Sequence, residues 1–398
     1  MLRFKKADGS EYPSWERKRI NSFAKCVEGA TPSTKVAEYW DYPTIRWMSS
    51  GEVHKGEIFD TDKKISQIGY DNTSTKMIRE NTVVMALAGQ GKTRGTVAIT
   101  RVPLCTNQSI CAIETDNTVL DNYLYQYLKT QYVQLRQLSS GEGQRGGLNL
   151  KLVGNYEVPL PCLEEQQKIA DCLSSVDAVI SDYEAQVENM QNQKKGVMQK
   201  LFSQEVRFKA DDGSEYPDWE FRTFADVGSV SMCKRIFKEQ TSDEGEVPFY
   251  KIGTFGGKPD AYISKELFSE FREKYSYPEK GAILLSASGT LGRTVKFDGK
   301  DAYFQDSNII WLEHDDTVLD SFLEYLYKVV HWQEPEGGTI KRLYNKNFLE
   351  TEFELPCLEE QQKIADCLSA FDDAIEDLQK TVEHWKNIKK GLLQQLFA

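Results

Sequence analysis

The chain carries two blocks of sequence twice, and this duplication constrains its fold more than any other feature. Residues 160–174 read LPCLEEQQKIADCLS, and residues 355–369 read the same fifteen letters. A second block, residues 3–16 (RFKKADGSEYPSWE), returns at residues 207–220 with 11 of 14 positions identical. The copies of the first block lie 195 residues apart and those of the second 204. The chain is therefore predicted to be a near-tandem array in which variable globular segments alternate with shared helical segments.

The repeats divide the 398 residues into five predicted parts. These are an N-terminal repeat segment (1–14), a first globular domain (15–160), a central spacer helix (161–208), a second globular domain with its entry segment (209–355) and a C-terminal spacer helix (356–398). Short strands with interspersed helices predict that each globular domain is a compact mixed α/β fold, so the fold class is α+β. No copy of the second block follows the C-terminal helix, and segment 3–16 is predicted to supply it from the N-terminus.

Apolar residues recur at spacings of four and three in both helical segments, which is the pattern of a coiled-coil seam. Lys194 fills one slot of the first seam, and Lys389 fills the matching slot of the second. The predicted helix-pairing residues are Ile169, Leu173, Val176, Ile180, Val187, Ile364, Leu368, Phe371, Ile375 and Val382. The alternative is a pair of amphipathic helices covering separate cores. The long, duplicated seam instead favours an antiparallel intramolecular coiled coil of two helices, each roughly 58 Å long, with a pseudo-twofold internal repeat.

Composition indicates a cytoplasmic protein without a membrane span. Mean hydropathy is −0.54, no apolar run approaches the ~20 residues that cross a bilayer, and the N-terminus MLRFKKADGS lacks the apolar stretch of a secretory signal. None of the eight cysteines forms a C-x-x-C pair, which favours reduced thiols over zinc or disulfides.

The net charge of −12 counts against a non-specific electrostatic binder of nucleic acid. The charge is unevenly distributed, however. Residues 15–160 hold 18 basic and 15 acidic side chains, whereas residues 219–355 hold 17 and 24. Local basic loops on an acidic body remain compatible with these counts, and an acidic helical spine suits a basic protein partner better than phosphate.

A glycine-rich turn at 89–95 (GQGKTRG) resembles a relaxed phosphate-binding loop. Such a loop must lead into a helix whose N-terminal amides hold the phosphates. The residues that follow, TVAIT at 96–100, favour a strand, and the matching turn of the second domain, SASGTLGR at 286–293, has no Gly-Lys pair. Each turn is therefore predicted to join two strands of a hairpin, and the first hairpin presents Lys92 and Arg94.

No constellation for chemistry is evident in the sequence. There is no Asn/Asp-Pro-Pro-aromatic loop of an amino-methyltransferase, and the acidic residues show no spacing typical of a nuclease metal site. The four histidines, His54, His314, His331 and His384, are too scattered to form a metal or base cluster. The chain is predicted to be non-catalytic and to bind no metal or cofactor of its own.

Sequence reading on DNA remains as the predicted activity. Base edges in the major groove are contacted by Arg, Lys, Asn, Gln and Ser/Thr side chains on loops or helix ends. Glycine-punctuated loops of both domains carry such residues, and a basic turn near the start of the second domain adds three more. The predicted DNA-binding residues are Gln90, Lys92, Arg94, Gln144, Arg145, Lys234, Arg235, Lys238, Arg293, Thr339, Lys341 and Arg342.

Taken together, the layout resembles the specificity subunit of type I restriction-modification systems. The resemblance covers the whole chain, and its most specific element is the duplicated LPxLxEQQKIAxxLSxxD…KKGLxQxLF pattern at 160–202 and 355–397. The RFKxxDGSEYPxWE block at each domain entrance is similarly typical. The resemblance implies two target recognition domains, each reading one half of a split, asymmetric DNA site, with paired helices that set the unread gap.

The same resemblance implies partners that supply the chemistry. Two methyltransferase subunits would dock along the helices with S-adenosylmethionine, and two ATP- and Mg-dependent translocase-nuclease subunits would complete the complex on double-stranded DNA. Two alternatives stay open at this point: the specificity component of a type II restriction-methylation enzyme, and a non-DNA coiled-coil adaptor with two binding heads.

Overall fold

The computed structural model describes residues 2–89, 91–138, 147–332 and 342–397. The chain divides into two compact units, which we describe separately. Unit 1 comprises Met1–Glu184 and Lys380–Ala398, and unit 2 comprises Ala185–Gln379. Two long helices, Leu163–Phe202 and Leu358–Phe397, each contribute to both units.

The first recognition domain begins with ten strands, with one α-helix between the fifth and sixth, and continues with three α-helices and a last strand before the long helix. The strands are β1 Glu16–Arg19, β2 Ala24–Glu28, β3 Ile45–Met48, β4 Glu57–Ile58, β5 Lys63–Ile65, β6 Met77–Ile78, β7 Val83–Ala86, β8 Val97–Thr100, β9 Leu104–Thr106, β10 Ile110–Thr115 and β11 Glu157–Leu160. The helices are α1 Gln67–Asp71, α2 Asp121–Thr130, α3 Tyr132–Leu138, α4 Leu150–Gly154 and the long α5 Leu163–Phe202.

The second recognition domain has fewer strands. They are β12 Glu220–Thr223, β13 Gly228–Ser231, β14 Val247–Tyr250, β15 Tyr262–Ile263, β16 Ile283–Ser286, β17 Thr294–Lys296, β18 Tyr303–Phe304, β19 Ile309–His314 and β20 Glu352–Leu355. The helices are α6 Phe224–Val227, α7 Lys265–Lys274, α8 Asp320–Val329, α9 Asn345–Leu349 and the long α10 Leu358–Phe397. Short 3-10 turns occupy Ile20–Ser22, Ala37–Tyr39, Ser50–Lys55 and Lys238–Gln240.

Three sheets recur in both domains. The main sheet has the order β2-β10-β7-β8-β4 in unit 1 and β13-β19-β16-β17 in unit 2. A second sheet contains a parallel pair, β3 with β9 and β14 with β18. The third is an antiparallel ribbon that closes each domain, β1 with β11 and β12 with β20. The domains therefore share one mixed α/β frame despite their different sequences.

The larger hydrophobic core of each domain lies between the main sheet and the helix that follows it. In unit 1, Val83, Ile99 and Cys111 of the sheet pack with Tyr123 and Leu124 of α2. Every residue of β7 and β8 is buried, because successive side chains enter this core and a second cluster in turn. Gln131 separates α2 from α3, and Ser109 and Ser307 stand just before β10 and β19.

The two duplicated sequence blocks interlock, which explains why both are repeated. Glu165 of α5 is fully buried, and its carboxylate accepts from the Arg3 guanidinium at 2.7 Å and from the Trp15 indole at 3.0 Å. In unit 2 the Glu360 carboxylate accepts from Arg207 at 2.7 Å and from Trp219. A buried carboxylate is tolerated when it is paired and hydrogen-bonded in this way.

The next residue of the same motif ties each long helix to its recognition domain. The side-chain oxygen of Gln166 accepts from the amide of Leu120, which precedes α2, and the buried Gln361 accepts from Leu319 before α8. Both contacts are 2.9 Å long. The side-chain nitrogen of each glutamine donates to a backbone carbonyl, Gln166 to that of Pro161 and Gln361 to that of Pro356. The glutamine is thus a bridge between the helix start and the domain.

The two long helices pair antiparallel, as the seam predicts. Within unit 1, Asp177 of α5 lies against Lys389 of α10, and Glu184 further along α5 lies against Lys386. Within unit 2, Lys194 pairs with Asp372. The predicted fold class, two mixed α/β domains joined by a coiled coil with an internal repeat, is confirmed. No helix in the described part of the chain is long and apolar enough to span a membrane.

Candidate nucleic-acid interface

The glycine-rich turn of the first domain is the tip of the β7–β8 hairpin. Gly95 donates its amide to the carbonyl of Ala86 at 2.9 Å, and β8 follows directly. No helix begins after the turn, so the geometry of a phosphate-binding loop is not present, as predicted. Helix α3 braces the tip, because the Arg136 guanidinium donates to the carbonyl of Gly91 and to the hydroxyl of Tyr132.

Two predicted DNA-binding residues at this tip, Lys92 and Arg94, differ in exposure. The side chain of Lys92 is exposed and makes no ion pair with a described residue. Arg94 is half-buried, and its Nε is buried without a hydrogen-bond partner in the described structure. The predicted residues Gln90, Gln144 and Arg145 lie outside the described residues.

Neighbouring loops converge on the same end of the first domain. The amide of Leu87 donates to the carbonyl of Ser109 at 2.8 Å, and the amide of Leu148 donates to the carbonyl of Leu87 at 3.0 Å. The hydroxyl of Thr31 contacts the side chain of Gln108 in the loop before β10. The hairpin, the entry to β10 and the segment leading to α4 therefore meet at one edge of the main sheet.

The second domain repeats this convergence. The amide of Ala287 donates to the carbonyl of Asn308, and that of Leu343 donates to the carbonyl of Ala287, both at 2.8 Å. Ser288 binds the Asn308 side chain through its hydroxyl. We call the two equivalent edges the reading loops: residues 87–89, 91–95, 107–109 and 147–148 in unit 1, and 287–293, 305–308 and 342–343 in unit 2.

Three arginines predicted to contact DNA meet at the reading loops of unit 2. Arg235 binds the Asp306 carboxylate at 2.9 Å, and Arg342 donates to the carbonyl of Ser307 at 3.1 Å. Arg293 donates to the carbonyl of Phe255 at 2.9 Å. All three guanidiniums thus have partners within the protein that hold them in place.

The lysines of the basic turn in unit 2 are less constrained. The ammonium of Lys234 lies 5.1 Å from the ring centroid of Tyr275, which is a cation–π contact. Lys238 is exposed on the 3-10 turn after Phe237, a residue that is itself 60 % exposed. Thr339 and Lys341 lie outside the described residues. The assignment of these residues to DNA contact stays a prediction.

Two features of the interface had weak signals in the sequence. The loop at 305–308 holds the partners of two arginines, and only its polar letters QDSN marked it. Ser307 within it has a φ of +54°, a conformation uncommon for a residue other than glycine. The sequence carries no signal for Phe237, because the exposure of an aromatic side chain follows only from the fold.

Comparison with known families gives the chain its class. The model of the "Type I restriction modification DNA specificity domain" matches twice, at residues 13–190 and 216–384. The chain belongs to the type I DNA specificity family. Both matched segments contain a recognition domain followed by most of its long helix. This finding supports the type I interpretation over the type II component and over the non-DNA adaptor.

Individual proteins similar to this chain are type I specificity subunits as well. A Haemophilus influenzae protein assigned as a type I restriction enzyme specificity subunit is 38 % identical over 296 residues, covering 71 % of this chain and 75 % of its own. A type I specificity subunit of Methanocaldococcus jannaschii is 27 % identical over 424 residues, covering 99 % and 95 %. The crystal structure of the S subunit from M. genitalium superposes with a TM-score of 0.60 at 17 % identity over 100 % of this chain and 99 % of that one.

Four of the ten predicted helix-pairing residues lie in the cores of the two units. Ile169 and Leu173 are fully buried with Leu396 in the core of unit 1, and Ile364 and Leu368 lie with Leu201 in that of unit 2. Val176, Ile180, Ile375 and Val382 are buried, whereas Val187 and Phe371 are half-buried. The ends of each long helix thus serve the recognition domains as well as the seam.

Proposed function

We propose that this chain is the non-catalytic DNA-reading subunit of a type I restriction-modification complex, in which each recognition domain reads one half of a bipartite site. The observation that carries the proposal is the repeated edge: equivalent reading loops, rich in Arg, Lys, Gln and Ser/Thr, on two copies of one frame. Such side chains supply the donors and acceptors that distinguish base pairs in the major groove. The differing loop sequences would then read different half-sites.

The chemistry belongs to partner subunits in this proposal. Two methyltransferase subunits would bring S-adenosylmethionine and dock along α5 and α10, and two translocase-nuclease subunits would bring ATP and Mg. Among the described residues of this chain, no three His, Cys, Asp or Glu side chains are grouped to hold a metal ion. The double-stranded DNA site and the subunit stoichiometry are part of the proposal.

The direct test is to co-express the chain with its methyltransferase partner in a host free of adenine methylation and to map N6-methyladenine across the genome. We expect one bipartite motif with a fixed unread gap. A complex that assembles and leaves the genome unmethylated would count against DNA reading by this chain.

Modularity can be tested by exchanging residues 15–160 for the first domain of another family member. The exchange should change one half of the motif and leave the other half and the gap unchanged. An insertion of one heptad in both α5 and α10 should instead lengthen the gap without changing either half. If either change altered both half-sites, the proposal of independent readers would be wrong.

Individual contacts can be assigned with Lys92→Ala and Lys238→Ala, because both side chains are exposed at a tip or turn and lack ion pairs with described residues. Loss of a phosphate contact weakens binding uniformly, and loss of a base contact relaxes one motif position at a cost of about 1–3 kcal/mol. The matched control is Lys274→Ala, which removes an exposed lysine paired with Glu270 on the surface of α7.

The acidic balance of the chain adds a hypothesis on affinity. We expect the isolated chain to bind DNA with a shallow dependence on salt, which steepens when the methyltransferase subunits join and add phosphate contacts. Binding isotherms at several salt concentrations, with and without the partner, measure both slopes. A steep slope for the chain alone would contradict the hypothesis.

A further inference from the structure

Each seam of the coiled coil contains one lysine among apolar residues, and each lysine finds an aspartate on the opposite helix. In unit 1 the ammonium of Lys389, a residue only 8 % exposed, pairs with Asp177 of α5. In unit 2 the ammonium of Lys194 contacts both carboxylate oxygens of Asp372 on α10. The two lysines lie 195 residues apart and so do the two aspartates, so the same lysine–aspartate pair occurs once in each repeat.

A third helix completes each ion pair. The side-chain amide of Gln126 on α2 donates to the Asp177 carboxylate at 2.9 Å, and the hydroxyl of Tyr325 on α8 donates to Asp372 at 2.8 Å. Gln126 and Tyr325 are themselves buried. Each recognition domain therefore orients the aspartate that receives the lysine of the opposite helix.

The apolar positions of the seam cannot by themselves choose one alignment. They repeat every seven residues, so sliding one helix by a heptad would again bring apolar side chains together. The lysines would not tolerate that shift, because their side chains are only 11 % and 13 % exposed, and a slip by one heptad would place Lys389 against Ala170 and Lys194 against Ala365, which are buried. A buried charge without a partner is strongly unfavourable, and a polar group in a seam can fix register for this reason.

We propose that the Asp177–Lys389 and Asp372–Lys194 pairs set the register of α5 against α10 and, through it, the number of unread base pairs between the half-sites. Each long helix starts directly after the last strand of one recognition domain, so a slip along the seam would change the separation of the two readers. One heptad is about 10 Å of helix, or about three base pairs of DNA. The second part of the proposal rests on the function proposed above.

The main variant replaces both pairs with leucine: Asp177→Leu, Lys389→Leu, Asp372→Leu and Lys194→Leu. A p-benzoyl-phenylalanine at position 386, on the exposed side of α10 opposite Glu184, reports the register of the isolated chain. Mass spectrometry identifies the residue of α5 to which it crosslinks after illumination. Methylation mapping of the assembled complex reports the gap.

The native chain should crosslink around Glu184 alone. The leucine variant should also crosslink about seven residues away, and its methylation motif should split into gaps that differ by about three base pairs. A single crosslink at the native position in the leucine variant would overturn the proposal. A shifted crosslink with an unchanged gap would overturn its second part.

Two controls separate register from stability. The charge-swapped variant exchanges each pair, Asp177→Lys with Lys389→Asp and Asp372→Lys with Lys194→Asp, and should keep the native register. Lysine at 177 would find the unpartnered side-chain oxygen of Gln126. The second control replaces the exposed Gln167–Asp171 and Gln362–Asp366 contacts with alanine and should change neither readout. A shift in either control would show that the seam aspartates and lysines have no special role.

The experiment distinguishes failure of this inference from failure of the proposed function. Crosslinking measures register without DNA or partner subunits. Absence of any bipartite motif with the native chain would refute DNA reading, whereas a native motif with an unshifted leucine variant would refute only the register role.

Discussion

The amide of Leu2 donates a hydrogen bond of 2.6 Å to the carbonyl of Gln395, so the N-terminal segment follows the end of α10 in space. An equivalent contact occurs after α5, where the chain is continuous: the amide of Val206 donates to the carbonyl of Lys200. Leu2 and Val206 lie 204 residues apart, and Lys200 and Gln395 lie 195 apart, which are the separations of the two duplicated blocks. The segment 3–16 therefore takes the place after α10 that segment 207–220 takes after α5, as the sequence predicts.

A circularly permuted chain should consequently keep its fold. Joining the two ends through a short Gly/Ser linker and opening the chain between Ser203 and Val206 only moves the break from one copy of the junction to the other. We expect unchanged circular dichroism, an unchanged unfolding midpoint within a few degrees and the same methylation motif. Opening the chain instead between Glu184 and Ala185, inside α5, should prevent folding. A permutant opened at 203–206 that fails to fold would contradict the equivalence of the junctions.

The buried carboxylate of Glu360 should be essential to the stability of unit 2. Glu360→Gln removes the charge that pairs with Arg207 and keeps the shape of the side chain. Because Arg207 loses its buried charged partner and keeps the exposed Asp218 at 3.8 Å, we expect a loss of about 3 kcal/mol in the free energy of unfolding, measured in urea. Glu359→Gln, its exposed neighbour in the first turn of α10, is the matched control and should change stability by about 0.5 kcal/mol at most. Equal effects of the two variants would argue against a stabilising role of the buried Glu360–Arg207 pair.

Two glycines of unit 1 should respond to alanine with opposite signs. A Cβ at Gly29 would lie 1.9 Å from the carbonyl oxygen of Thr106, so Gly29→Ala must displace backbone and should destabilise the domain by about 3 kcal/mol. Gly391 lies within α10 with no atom within 4 Å of such a Cβ. Gly391→Ala should stabilise by about 1 kcal/mol through helix propensity. Thermal unfolding of both variants checks the prediction, which fails if Gly29→Ala leaves stability unchanged.

His314 should make the stability of unit 2 depend on pH. Its Nε2 lies 3.2 Å from the Asp320 carboxylate and its Nδ1 lies 2.8 Å from the carbonyl of Asp315. The hydrogen bond to Asp320 raises the pKa of His314 above its ordinary value of 6.5. A raised pKa means that the folded state binds the proton more tightly than the unfolded state does. The added stability is then complete below the unfolded pKa and is lost as pH rises through the folded value.

His314→Gln provides the test of this linkage. The variant should be less stable than the native chain by about 1 kcal/mol at acidic pH, and the difference should shrink above neutrality. Urea unfolding at several pH values measures the difference, and His54→Gln is the control on an exposed histidine of unit 1. A difference that is constant over the pH range would show that His314 acts only through packing.

Much of the architecture was accessible from the sequence because it is written in local patterns. The heptad spacing from Ile169 onward predicted a long helix, and the residues after Gly95 predicted a strand where a phosphate loop would need a helix. The duplicated blocks predicted that one frame occurs twice and pointed to the family. These inferences depend on neighbours within about one turn or one hairpin, where sequence spacing fixes geometry directly.

Tertiary structure decided the partners of polar residues that lie far apart in the chain. Sequence placed Lys389 in an apolar seam but could not select Asp177, 212 residues away, as its partner, and nothing local pairs Glu165 with Arg3 across 162 residues. Likewise, only the fold shows that Arg235 and Arg342 meet at the loop containing Asp306. Such contacts arise when several elements pack at once, and the cost of burying an unpaired charge then selects one arrangement among the many that the apolar pattern permits.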